Sequence, residues 1–115
     1  MSNLPRLMFE IEIGDKSYDV KPNFKTALAL ESRFQMNLSQ LTISCAVGRA
    51  ITNITGIIYE ALRQNGHRKV DYETVGDAVV EEYEKYSDIA ADILRAYLKP
   101  QKQAEEVEES AGKNE

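Results

Sequence analysis

The sequence predicts an α+β domain, in which an N-terminal β-hairpin packs on a bundle of about four α-helices and a disordered acidic tail follows. Three observations lead there. Near the N-terminus, apolar residues alternate with polar ones on either side of a Gly-Asp pair, the period-two pattern of a half-buried hairpin. The chain from residue 23 to residue 99 then spaces its apolar residues three and four apart, as helices that bury one face do. Beyond Gln101 the apolar residues give out, and five Glu against two Lys leave the tail at net −3.

Residues 1–6 read as a loose arm. In the first strand Phe9, Ile11 and Ile13 alternate with Glu10 and Glu12; in the second, Tyr18 and Val20 alternate with Asp19 and Lys21. A two-residue loop with Gly first, Gly14-Asp15, suits a type II′ turn. That turn sets Ile11 opposite Tyr18 and Phe9 opposite Val20, so the apolar residues share one face. A lone hairpin is marginal in water, and this face must therefore lie on helices.

Asn23 caps a helix running to about Gln35, with Phe24, Ala27, Leu28, Leu30, Glu31 and Phe34 along it, most of them core. Asn37 closes that helix, and Leu38 and Leu41 lie in a buried connection. The longest helical stretch, Ser44 to Gly66, is the centre of the fold. Val47, Ile51, Ile54, Ile58 and Leu62 share its buried face with Ala50, Ile57 and Ala61 beside them, opposite Arg49, Asn53, Gly56, Glu60 and Arg63. Gly48 makes its first turn irregular, and Asn65-Gly66 ends it.

Asp71 caps the next helix, about 72–86, with Glu73 at the positive end of its dipole and Tyr72, Val75, Val79, Tyr83 and Tyr86 in one stripe. Ser87 caps the last helix, whose broad apolar face of Ile89, Ala90, Ile93, Leu94, Ala96 and Tyr97 ends at Pro100. One domain thus spans residues 7–99, and residues 100–115 are the tail.

A formal net charge of −5 argues against nucleic-acid binding driven by phosphate contacts. No apolar run approaches the roughly 20 residues of a membrane-spanning helix and no secretory signal opens the chain, so a soluble intracellular protein is expected. A single cysteine, Cys45, excludes an internal disulfide framework and a multi-cysteine metal site, and reads as a stray thiol. His67 is the sole imidazole, and Glu81, Glu82 and Glu84 read as a solvated face rather than a metal site. The glycines make no phosphate-binding loop. No catalytic, cofactor-binding or metal-ligating residue emerges, and an enzyme is not expected. Arg63, His67, Arg68 and Lys69 form one local basic group, which alone decides nothing.

The order of elements carries a resemblance. The hairpin Phe9-Glu-Ile-Glu-Ile-Gly14 to Tyr18-Asp-Val20, the helix with Ala27-Leu28-Ala29-Leu30-Glu31, the helix ending Ile57-Ile58-Tyr59-Glu60-Ala61-Leu62-Arg63, and the segment Val70-Asp71-Tyr72-Glu73-Thr74-Val75-Gly76-Asp77 together resemble tail assembly chaperones of long-tailed bacteriophages and related gene-transfer-agent proteins. The likeness spans about residues 7–98 and rests on element order and apolar positions, not on an invariant motif.

The resemblance implies a non-enzymatic protein without a cofactor, working in the cytoplasm of the bacterial host and absent from the mature virion. Its partners would be the tape measure protein, which it keeps soluble, and tail tube protein subunits, which it helps recruit. Self-association into a homo-oligomer is implied as well, with no nucleic acid or membrane partner. In such families a frameshifted longer form often shares the N-terminal domain, and the stretch after Pro100 sits where that extension joins. A client helix would dock on exposed apolar or aromatic surface beside a polar rim. Tyr59 and Leu98, which fall off the apolar stripes, and Arg63 are the expected partner-binding residues. The alternative is a structural phage component, a head-tail connector or tail completion protein. A third reading is an intracellular regulator binding nucleic acid through the last two helices, against which the charge counts.

Overall fold

The computed structural model describes the backbone of residues 8–113 and the side chains of residues 8–98. Its elements run β1 (Phe9–Ile13), β2 (Lys16–Val20), α1 (Phe24–Phe34), α2 (Leu38–Val47), α3 (Ile51–Gln64), α4 (Tyr72–Glu81) and α5 (Tyr83–Lys113). The fold is α+β: a two-stranded antiparallel hairpin on a bundle of helices. The loose arm expected at residues 1–6 lies outside the described residues.

The hairpin has the expected register, with Ile11 opposite Tyr18 and Phe9 opposite Val20. Gly14 takes a φ of 67° while Asp15 stays at negative φ, as a type II′ turn requires and a type I′ turn does not. Ile11, Ile13 and Val20 are buried beneath the hairpin. Three side chains fasten it to the bundle. Asn65 brackets Lys21, accepting from its N–H at 3.1 Å and donating to its carbonyl at 3.2 Å. His67 Nε2 lies 2.7 Å from the Asp19 carbonyl, its ring edge-on to Tyr18 at 5.1 Å. The Tyr86 hydroxyl donates to the Glu12 carbonyl.

Asn23 caps α1 by accepting from the Thr26 N–H at 2.8 Å. Gln35 ends it in the left-handed region at φ 56°. Asn37 does not merely close that helix. It opens α2 through a reciprocal capping box: its side chain accepts from the Gln40 N–H, and the Gln40 side chain accepts from the Asn37 N–H. The stretch expected as a buried connection is therefore a fifth helix, on which Leu41 is fully buried.

The long helix expected over Ser44 to Gly66 is two helices. Gly48, Arg49 and Ala50 leave the helical path, Gly48 with φ −140° and ψ 102°, and Ala50 starts α3 without a side-chain cap. This break turns α2 away, so Val47 ends 84% exposed and Ile51 47% exposed, outside the core assigned to them. Ala50, expected beside that face, is exposed as well, and the remainder of the stripe holds. Ile54, Ile57, Ile58, Ala61 and Leu62 are buried, each of the larger ones contributing about 1.5–3 kcal/mol relative to exposure. Since α1, α4 and α5 all pack around α3, Thr55, Gly56 and Glu60 are buried as well. The C-terminus of α3 is a Schellman motif: His67 N–H bonds the Leu62 carbonyl at 3.0 Å, Gly66 N–H bonds Arg63 at 3.1 Å, and Gly66 takes φ 94°.

Asp71 caps α4, accepting from the Thr74 N–H at 2.8 Å. The boundary expected at Ser87 falls five residues earlier, at Glu82, which leaves Ser87 buried inside α5. Val75, Val79, Tyr86, Ala90, Ile93 and Leu94 complete the core. The bounds of α5 run past Pro100, so the helix end expected there is not where α5 ends, although Pro100 has no N–H to give the Ala96 carbonyl. The side chains of the acidic tail lie outside the described residues, and the disorder expected of residues 100–115 falls on that part of the chain.

Candidate functional site

Two grooves flank α3. The first, between α1 and α3, is lined by Ala29, Ser32, Arg33, Tyr59, Arg63 and Gln64 over Glu60. Its centre is an arginine-aromatic cluster. Arg33 Nε pairs with the Glu60 carboxylate at 2.8 Å, and its guanidinium lies over the rings of Tyr59 at 5.4 Å and Tyr72 at 5.2 Å. The two tyrosines meet edge to face at 5.4 Å. Glu60 is nearly buried, so Arg33 supplies the charge that its desolvation demands, and Gln64 Nε2 donates to its second oxygen at 3.3 Å.

Two of the three expected partner-binding residues meet here. Arg63 is exposed, and its guanidinium donates to the Tyr59 hydroxyl at 3.1 Å. Tyr59 is half-buried against Tyr72 and Arg33 and presents an edge rather than a free ring. Leu98 is half-buried on α5 and does not line this groove. Of the basic group, His67 is turned to the hairpin backbone, while Arg68 and Lys69 stay exposed.

The second groove, between α3 and α4, has a volume of about 310 Å³ and is more apolar. Ile51, Tyr72 and Val80 form its walls, with Thr52 at the edge, Thr55 and Gly76 along the floor, and Glu73 and Asp77 on the α4 rim. Thr55 is 2% exposed, and its hydroxyl has no hydrogen-bond partner among the described residues.

Apolar side chains stand out elsewhere too. Phe24, placed in the core from the sequence, is 75% exposed on α1, and Leu28 one turn on is half exposed. The first turn of α1 is tied to α5 by the Asn23 backbone bonds with the Tyr97 hydroxyl, but the face it buries is that of Thr26 and Leu30, and Phe24 lies off it. Ile43 and Val47 are exposed one turn apart on α2. The stripes read from the sequence include Val47, Ile51 and Tyr72, and Phe24 and Leu28 lie on a helix read as mostly core; Ile43 and Val80 lie on none of those stripes.

A small cavity of about 100 Å³ between α2 and α5 holds Cys45, Arg49, Ser87 and Leu94. Burial pushes the Cys45 thiol up from its ordinary pKa, against the lowering effects of Arg49 and a hydrogen bond with Asn53. A thiol held protonated is a poor nucleophile. Arg49 is occupied in tying the helix break to α5: it donates to Ser87 Oγ at 3.3 Å, and its carbonyl accepts from the Tyr83 hydroxyl. Among the described residues no group of three or more His, Cys, Asp or Glu is placed to hold a metal ion, and no helix is long and apolar enough to cross a membrane. No family model, curated protein or solved structure matches the chain.

Proposed function

We propose that this protein is a tail assembly chaperone of a long-tailed bacteriophage. It binds the tape measure protein, keeps that long helical chain soluble in the host cytoplasm, helps recruit tail tube subunits, and is left out of the finished particle. It acts by binding, without catalysis or cofactor. The observation that carries the reading is the set of large apolar side chains outside the core on four successive helices, Phe24, Ile43, Val47, Ile51, Tyr72 and Val80. Exposed apolar surface of this extent, beside a polar rim, suits a protein that shields apolar helices of a client.

Co-expression with the tape measure protein encoded beside it, followed by size-exclusion chromatography with light scattering, tests the reading. The expected result is an otherwise insoluble partner held in solution in one complex, whose mass also gives the number of copies of this chain. A partner that stays insoluble, or never co-elutes, overturns the reading. Finding this chain in purified mature particles overturns it in favour of a connector or tail completion protein.

A further inference from the structure

The α3–α4 groove is open among the described residues, and its chemistry restricts what fits. Its walls are Tyr72 at one end, against Tyr59, and Ile51 and Val80 at the other, all exposed enough to be covered by a partner. Gly76 keeps the floor low: a methyl there would already touch Thr55 Cγ2 at 3.7 Å, so any larger side chain at this position would stand up into the groove. The charge is one-sided. Glu73 and Asp77, one turn apart and both exposed, line the α4 rim, and the α3 rim offers only the neutral Thr52. Arg33 reaches Tyr72 from the far side but is neutralised by Glu60.

We propose that this groove is the docking site for an amphipathic helix of the tape measure protein, one whose apolar stripe is flanked by lysine or arginine. The inference rests on the proposed function for the source of that helix, and the charge pattern selects the helix itself. The chain's own tail, with five Glu against two Lys, repels an acidic rim. The apolar walls supply affinity, and the rim supplies orientation and selection.

The probes are two designed helical peptides of about 20 residues, long enough to be helical in isolation, with the same leucine stripe and either Lys or Glu flanks. They are titrated into the full-length chain and followed by backbone amide shifts. The Lys-flanked peptide should bind and move the amides of Ile51, Thr55, Gly76 and Val80. Val80→Gln keeps a helix-compatible, uncharged side chain at an exposed position, so its thermal melt should match that of the native chain while binding weakens about tenfold. Asp77→Lys, which leaves Glu73 and the new lysine to cancel on the rim, should abolish the preference for the Lys-flanked peptide.

Shifts centred on Phe24 and Leu28 or on Ile43 and Val47, equal binding of both peptides, or no binding would overturn the inference. So would light scattering that finds a dimer broken by Val80→Gln, because the occupant would then be a second copy. The co-expression experiment separates the two claims. If Val80→Gln still holds the tape measure protein in solution as well as the native chain does, the groove assignment fails and the chaperone reading stands. If the tape measure protein never co-elutes but the Lys-flanked peptide maps to the groove, the docking chemistry stands and the source is wrong.

Discussion

Replacing Gly56 by Ala tests how tightly α1 is set against α3. In a free helix interior the change stabilises by about 1 kcal/mol, because alanine loses less backbone freedom on folding. At this position the added Cβ would lie 2.7 Å from Phe34 Cζ and 3.1 Å from Arg33 Cδ. A phenyl ring has no flexible end to fold away, so the whole side chain must swing out and loosen the α1–α3 contact. Arg33 is held in place by its 2.8 Å ion pair with Glu60. Overpacking of this kind costs about 1–3 kcal/mol, and after the gain in helix propensity the net loss should be up to about 2 kcal/mol. Urea denaturation followed by helix circular dichroism reads it as a lower midpoint at unchanged slope. In a Phe34→Leu background the ring tip is gone, and the same Gly56→Ala change should turn stabilising by up to about 1 kcal/mol. A Gly56→Ala variant more stable than the native chain, or one equally damaged in both backgrounds, would refute the close-approach argument.

Thr55→Val keeps the shape and branching of a buried side chain and removes a hydroxyl that has no partner, so it should stabilise the fold by about 0.5–2 kcal/mol. Urea midpoints measure this, and a loss of stability would mean that the hydroxyl is hydrogen-bonded in solution. Tyr97 should make the fold alkali-sensitive. Burial raises its pKa above the ordinary 10.0, against the lowering effect of its hydrogen bond with the Asn23 backbone. A raised folded-state pKa contributes stability that is fully present below the unfolded value and is lost as pH rises through the folded value. Between about pH 9 and pH 11 the native chain should therefore lose more stability than Tyr97→Phe, which starts lower at neutral pH by about 1 kcal/mol for its lost hydrogen bonds. Parallel pH profiles for the two chains would rule Tyr97 out as the cause.

The parts of the fold that could be read from the sequence are those set by local chemistry. The Gly14-Asp15 turn fixes the strand register, Asn23 and Asp71 cap helices at their own positions, and Asn65-Gly66 ends α3, each by bonds reaching only a few residues along the chain. Of the boundaries that moved, the opening of α2 at Asn37 is a local capping box, and the others depend on distant partners. Gly48 marks an irregular point between Ser44 and Gly66, but nothing local fixes how far the chain leaves the helix there. The break at Gly48 is held from outside, by Tyr83 and Ser87 of α5 bonding Arg49. Ser87 has the side chain of a cap, yet it sits inside a helix because Glu82 takes the C-cap of α4.

The candidate surface was legible only where the chemistry was polar. Arg63 and Tyr59 fell off the apolar stripe and do lie together at the surface. The apolar surface residues were read inward, because periodicity states which face of a helix is apolar and not whether another element covers it. Phe24 and Leu30 illustrate the limit: both belong to the same amphipathic helix, but only the face that carries Thr26 and Leu30 is covered by other elements, so Leu30 is buried and Phe24 is not. Amphipathic excess therefore becomes evidence of a partner only after the core has been assigned. On that basis Ile51, Tyr72 and Val80 form a groove with one acidic rim, while Phe24 and Leu28 are exposed beside Lys25 and line no such groove. The groove is where a substitution should first separate client binding from folding.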